Sequence, residues 1–328
     1  MSGRLLKDCP WRPNLFVVGA PKCGTTSLCD YLRQHPDIFI SAPKEPLFFC
    51  TDQVHEEPWR VSDPLRYLEL FEPGAGQSWR GEGSVWYLTS EAAAQRIGEV
   101  SPDARIIIML RNPVDMAASL HAQFVFSGNE TIADFAEAYA AQEARALGRR
   151  MPRRAHAPAG LMYRDVGRYA AHVERYHRRF PPDQVKVLIF EEFVADLATG
   201  YRAVLEFLGV DPDIAPDFSI RNERHSVRSV ALQRLLTKTP ELWGTPLRAR
   251  HGGRQPLREH ARLALLRYNT GGARTAGIDE DLRRRLHGDF ADDIARLEDL
   301  LGRDLSLWAR RNLDGTAHAE TAMSGRSS

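Results

Sequence analysis

The chain has 328 residues, 43% of them hydrophobic and 27% charged, which are the proportions of a globular protein with ample length for a buried core. Its 44 Lys and Arg residues against 43 Asp and Glu leave a formal net charge of +1, so overall charge points neither to nucleic acid nor to an anionic membrane. The longest apolar stretches, near 15–20 and 106–110, are too short to span a bilayer, residues 1–12 lack the apolar run of a secretory signal, and Cys9, Cys23, Cys29 and Cys50 form no C-x-x-C pair or ligand-like grouping with histidines; a cytoplasmic, reduced protein without a metal site is expected.

From the amino terminus, Leu15 to Val18 has the length and β-branched content of a strand, which Gly19-Ala20-Pro21 ends. From Thr25 onward Leu28, Tyr31 and Leu32 take helical spacing, so the polar residues between lie on a strand-to-helix turn. Such a turn points backbone N–H groups and the positive end of a helix dipole at one spot, which favours a phosphate or another oxyanion. Lys22 adds a charge there, and Thr25, Thr26 and Ser27 add hydroxyl donors. The helix is expected over Ser27 to Gln34, ended by His35-Pro36. A short strand, Asp37 to Ile40, then delivers Lys44-Glu45 beside the turn.

Residues 50–80 include a helix around Pro64 to Phe71; Gly81 to Leu88 reads as a strand end and loop, and Glu91 to Val100 as a helix. Arg105 to Leu110 is the clearest strand, and Pro113 sits near the first turn of the following helix, which carries Met116, Leu120 and Phe124. Further helices are expected over 131–147, 166–180 and 200–208, a buried strand over 185–190, and a basic loop over 149–154. From Ser229 the chain reads as helical, with an Arg- and Gly-containing loop over 248–254, a helix over 279–300 and a disordered tail over 315–328. Strands separated by helices imply an α/β fold, a central parallel sheet with ligands at the carboxyl ends of its strands. Without an internal repeat or a clear linker, 1–314 reads as a single domain with helical insertions.

Two departures separate the first turn from a nucleotide triphosphatase loop. Gly19 and Gly24 keep the Walker spacing, but Thr25 stands where the Walker lysine belongs and the lysine comes earlier, at Lys22. A triphosphatase also needs a carboxylate for Mg²⁺ at a neighbouring strand end, whereas the strand 105–110 runs out into Arg111 and Asn112. That exit suits an anion.

At this point the chain resembles the sulfotransferases that use 3′-phosphoadenosine 5′-phosphosulfate (PAPS). Pro21-Lys-Cys-Gly-Thr-Thr-Ser-Leu28 is similar to their 5′-phosphosulfate loop, and Leu110-Arg-Asn-Pro-Val-Asp-Met-Ala-Ala-Ser119 to their 3′-phosphate motif. Lys44-Glu-Pro-Leu-Phe-Phe49 resembles a third segment, found in the branch that holds the heparan-sulfate-type enzymes and many bacterial homologues. The resemblance implies a P-loop-like three-layer α/β fold and transfer of the sulfuryl group from PAPS to an acceptor hydroxyl or amine, with release of 3′,5′-ADP (PAP) and without a metal. It implies that Lys22 stabilises charge on the bridging oxygen, that Cys23, Gly24, Thr25, Thr26 and Ser27 cradle the 5′-phosphate, and that Arg111 and Ser119 hold the 3′-phosphate. Arg228 and Ser229 resemble a late segment that closes over the cofactor, and Lys44 also reaches toward it.

Two candidate bases stay open: Glu45, matching the base of the heparan-type branch, and His121, on the helix after Pro113. One departure is Gly83, where the heparan-type enzymes often carry a lysine; Glu82 beside it is expected to face the cleft. Trp59, Trp79, Trp86 and Tyr87 are candidates for an apolar acceptor pocket, and the loops 149–154 and 248–254 for grip on an acidic acceptor. The expected acceptor is a bacterial natural product, glycolipid or saccharide. Two other readings are a kinase-like phosphotransferase, set apart by its need for Mg²⁺, and a non-catalytic PAPS- or ADP-binding module.

Overall fold

A continuous apolar run is stable as a strand only where both faces of the sheet are covered, and that is how the central strands are built. In the computed structural model, which describes residues 2–53, 60–153, 155–219 and 278–310, every residue of β1 (Leu15–Gly19) is buried. It lies between β3 (Trp79–Gly83) and β4 (Arg105–Leu110), with β2 (Ile38–Ile40) outside β3 and β5 (Val185–Ile189) outside β4. All pairings are parallel, and the register sets Val17 opposite Gly83 on one side and Ile107 on the other. Because the sheet grows from β1 in both directions, the carboxyl end of β1 is a switch point where a crevice opens.

The helices, in chain order, are α1 (Ser2–Asp8), α2 (Thr25–Leu32), α3 (Pro64–Glu69), α4 (Ala93–Val100), α5 (Pro113–Ser127), α6 (Phe135–Ala140), α7 (Gln142–Ala146), α8 (Tyr163–Gly167), α9 (Tyr169–Arg179), α10 (Phe190–Ala195), α11 (Leu197–Leu208), α12 (Glu280–Leu301) and α13 (Leu307–Arg310). They flank the sheet. α12 buries Leu286, Phe290, Ile294 and Leu297, one face at helical spacing, and packs against α9 and α5. Trp308 is fully buried, its indole N–H donating to Glu191 Oε2 at 3.0 Å while its carbonyl accepts from Asn112 Nδ2 at 2.8 Å. The carboxyl-terminal end of the described chain therefore braces the exit of β4. No helix among the described residues is long and apolar enough to cross a membrane.

Two expected helices are each split in two. The helix expected over 131–147 is replaced by α6 and α7, and it starts late because Glu130 accepts from the Thr131 and Ile132 N–H groups at 2.6 and 2.8 Å and Asp134 caps α6 at Glu137 N, 2.8 Å. Acceptors so placed hold the backbone out of the helical path. The helix expected over 166–180 starts earlier, at Tyr163, and breaks at Arg168; Asp293 of α12 accepts from Ala170 N at 3.2 Å and so serves the start of α9. The loop over 248–254 and the tail over 315–328 lie outside the described residues.

Glu130 also anchors a fully buried ion pair. Arg145 Nη2 meets both its oxygens at 2.9 and 2.7 Å, Tyr163 donates to Oε2 at 2.9 Å, and Arg145 Nη1 donates to the Leu161 carbonyl at 3.1 Å. Burial pushes the Glu130 carboxyl up, yet the Ile132 N–H and the Arg145 guanidinium outweigh it and hold it below the ordinary value. Removing one partner strands the other charge in the core. Arg145→Met is expected to lower stability by about 3–5 kcal/mol in urea unfolding; a loss below about 1 kcal/mol contradicts this role for the pair.

Candidate active site

The first turn is shaped by how closely β4 passes β1. A Cβ on Gly19 would lie 2.7 Å from the Met109 carbonyl oxygen, and Ala20 N donates to that same oxygen at 3.0 Å. The chain then reverses through left-handed Lys22 (φ 64) and Gly24 (φ 86) into α2. Gly24 is the N-cap and no side chain caps the helix, so the first N–H groups of α2 have no helical acceptor. Lys22, Gly24, Thr25, Thr26 and Ser27 line a cavity of about 980 Å³. Cys23 does not: it is fully buried, its thiol pushed up chiefly by that burial, with Sγ 3.4 Å from the Pro21 carbonyl.

Arg111 leaves β4 into the same cavity, as does Ser119 of α5. The guanidinium donates from Nη1 to the Lys22 carbonyl at 3.3 Å, lies 4.9 Å from the Phe190 ring centre, and stands 3.9 Å from Glu191 Oε1. Its Nε is buried without a hydrogen-bond acceptor. A cation held this way is aimed but not neutralised at hydrogen-bonding range.

Across the cavity, Ser41 N donates to Gly81 O at 2.8 Å and Glu45 N to Gly83 O at 3.1 Å, which carries the segment after β2 along the end of β3. Glu45 (φ 64) and Leu47 (φ 55) are both left-handed. Glu45 Oε2 accepts from Val85 N at 2.9 Å, and Oε1 pairs with Lys44 Nζ. Burial works against the Lys44 ammonium, but the Glu45 carboxylate outweighs it and raises its pKa. The stem of Lys44 lies over Gly83, where a Cβ would stand 3.2 Å from Lys44 Cε and 2.8 Å from Cys29 Sγ. Gly83 thus leaves the space that Lys44 fills.

Several other expected site residues face elsewhere. His121 is buried on α5, its Nε2 2.9 Å from the Ile132 carbonyl and its ring against Phe135 and Tyr163, and burial lowers its pKa; it does not line the cavity. Glu82 is fully buried behind the cleft rather than facing it, because three hydroxyls claim its oxygens: Tyr67 at 2.5 Å, Ser84 at 2.6 Å and Tyr87 at 3.0 Å. Trp79 is likewise structural, its indole N–H donating to Leu208 O at 2.9 Å, and Tyr87 is core. Trp86 does line the cavity; of the loop 149–154 no described residue does, and Arg150 pairs with Glu137 at 2.5 Å. Arg228, Ser229 and Trp59 lie outside the described residues.

The rest of the lining was not foreseen. Phe190, Phe193, Val194 and Leu197 follow β5, and Gln123, Phe124, Ser127, Asn129 and His156 extend the wall beside Trp86. The rule that ligands gather at carboxyl strand ends, applied to β5 as it was to β1 and β4, points to Phe190.

Comparison with known proteins agrees with this geometry. A family model described as a sulfotransferase domain matches residues 12–229. The chain is 31% identical over 225 residues to the human bifunctional heparan sulfate N-deacetylase/N-sulfotransferase 3, covering 63% of this chain and 23% of that protein. It is 30% identical over 203 residues to the mouse heparan sulfate glucosamine 3-O-sulfotransferase 3A1, covering 60% and 46%. The chain therefore spans under half the length of these two curated relatives. A crystal structure of a sulfotransferase from Alicyclobacillus acidocaldarius matches at 36% identity and TM-score 0.67, covering 91% of this chain and 99% of that one.

Burial raises the Glu82 carboxyl from 4.5 to about 7 against the pull of its three hydroxyls. Between those values the folded protein binds a proton that the unfolded chain has released, so this group's contribution to stability falls as pH rises. The melting temperature of the wild type minus that of Glu82→Gln is expected to shrink from about pH 5 to about pH 8. A difference independent of pH contradicts the shift.

Proposed function

The chain belongs to the sulfotransferase domain family, and from that premise we propose that it moves a sulfuryl group from PAPS to a hydroxyl or amine of a saccharide, glycolipid or small-molecule acceptor. The observation that carries this reading is the meeting of two cationic points at adjacent strand exits, Lys22 after β1 and Arg111 after β4, joined by the bond from Arg111 to the Lys22 carbonyl. A ligand with an anionic group at each of two ends fits such a pair; the Arg111 guanidinium, which no carboxylate meets at hydrogen-bonding distance, and the uncapped start of α2 each suit an anionic acceptor.

In this reading Gly24, Thr25, Thr26 and Ser27 hold the 5′-phosphate end, and Arg111 with Ser119 holds the 3′-phosphate. Bound PAPS supplies the activated sulfuryl group and departs as 3′,5′-ADP. Lys22 stabilises negative charge on the departing phosphate oxygen, a charge greater in the transition state than before it, so the ammonium lowers the barrier. Glu45 takes the proton of the acceptor; its carboxylate borders Val85 and the wall formed by Trp86 and Phe124. Lys44 counters the Glu45 charge. We assign the protein to the cytoplasm, a compartment that keeps thiols such as its four buried cysteines, none of them in a disulfide, reduced.

Release of 3′,5′-ADP from PAPS, measured in excess chelator with a panel of sugars, alcohols and amines, tests the proposal. Lys22→Ala is expected to lower turnover on the order of 10²–10³-fold. Near-normal turnover in that variant, or turnover abolished by the chelator, overturns it.

A further inference from the structure

Glu82, the last residue but one of β3, lies outside the cavity, and no step above uses it. Each of the three hydroxyl groups gathered around its carboxylate belongs to a residue that grips one of three consecutive residues after Glu45. Ser84 Oγ accepts from Leu47 N at 3.4 Å, the Tyr67 ring stacks on Phe48 at 4.2 Å and 10°, and the Tyr87 hydroxyl accepts from Phe49 N at 3.2 Å. A hydroxyl has a single proton. Because Ser84 and Tyr87 donate theirs to Glu82, their lone pairs are left to accept the two N–H groups.

The segment so gripped needs the support. Left-handed backbone is strained at a non-glycine residue and persists only where the surroundings over-determine it, and both Glu45 and Leu47 adopt it. Only an acceptor without protons of its own can take three hydroxyl donors at once; an amide at 82 offers one oxygen and a competing donor.

We infer that Glu82 is a positioning residue for Glu45: by orienting the hydroxyls of Ser84 and Tyr87 it pins Leu47 and Phe49, and so holds the left-handed turn that presents Glu45 to Val85 N and the cavity. The inference rests on the reading of Glu45 as the base.

The test compares the wild type with Glu82→Gln, Glu45→Gln and the double variant at about pH 8, where the Glu82 carboxyl is ionised. Amide hydrogen exchange is read at Leu47 and Phe49, 3′,5′-ADP affinity by calorimetry, and 3′,5′-ADP release from PAPS with the same acceptor panel. In Glu82→Gln, exchange at Leu47 and Phe49 is expected to rise about tenfold or more while the amides of α2 and the 3′,5′-ADP affinity stay unchanged. Turnover is expected to fall up to the order of 10²-fold when Glu45 is present and not to fall further when Glu45 is already Gln. Unchanged exchange, exchange raised across β1 and β3 as well, or equal losses in both backgrounds overturns the positioning role. Full turnover by Glu45→Gln removes the base itself, and the positioning role with it. Should Glu82→Gln fail to bind 3′,5′-ADP, Tyr87→Phe, which deletes one link and keeps the ring, carries the same comparison at Phe49.

Discussion

The site depends on how tightly two parallel strands are paired. β4 runs so close to the end of β1 that Met109 backbone atoms occupy the place of a side chain at Gly19, which only glycine tolerates. Pairing at that distance sets Gly19 level with Met109, so the chain leaves both strands side by side. One exit turns through Lys22 into an uncapped helix; the other presents Arg111, which donates to the carbonyl of Lys22. Without that close approach the two cations would face separate crevices.

Charge is distributed unevenly around the cavity, and the distribution suits the proposed chemistry. At the strand exits Arg111 is held by a carbonyl, an aromatic face and a carboxylate 3.9 Å away, which fixes its direction without quenching it. At the opposite wall the Lys44 ammonium is matched at once by Glu45, and Trp86 stacks on Phe124 at 6.3 Å and 28°. Gly160 permits that stack, since a Cβ there would stand 2.4 Å from the Trp86 ring. Asn129 accepts from His156 N at 2.6 Å and ties the loop beyond α7 to the end of α5, closing this wall. In the proposed reading the nucleotide end is therefore read by charge, and the acceptor end, among the described residues, by shape and hydrogen bonds.

Much of this was legible in the sequence, for a physical reason. Buried parallel strands are continuous apolar runs, so 15–18, 105–110 and 185–190 announced β1, β4 and β5, and the two turns proposed to hold anions followed from what ends the first two. What escaped depends on partners that only the folded backbone brings together. Nothing near Arg168 signals the break between α8 and α9, because the acceptor that serves α9 is Asp293. His121 has the spacing of a cleft residue, but the Ile132 carbonyl and two aromatic rings claim it. Glu82 read as a cleft carboxylate because its three hydroxyl partners, at 67, 84 and 87, become neighbours only when β3 is in place.

The central claim is that Lys22 and Arg111 hold opposite ends of one doubly phosphorylated adenosine. Calorimetric titration of the full chain with 3′,5′-ADP and, separately, with ADP lacking the 3′-phosphate tests it most directly. The account predicts that 3′,5′-ADP binds at least about tenfold more tightly, the equivalent of one charge-assisted contact, and that Arg111→Ala erases the difference. Equal affinities in the wild type, or a preference that survives in Arg111→Ala, contradict it.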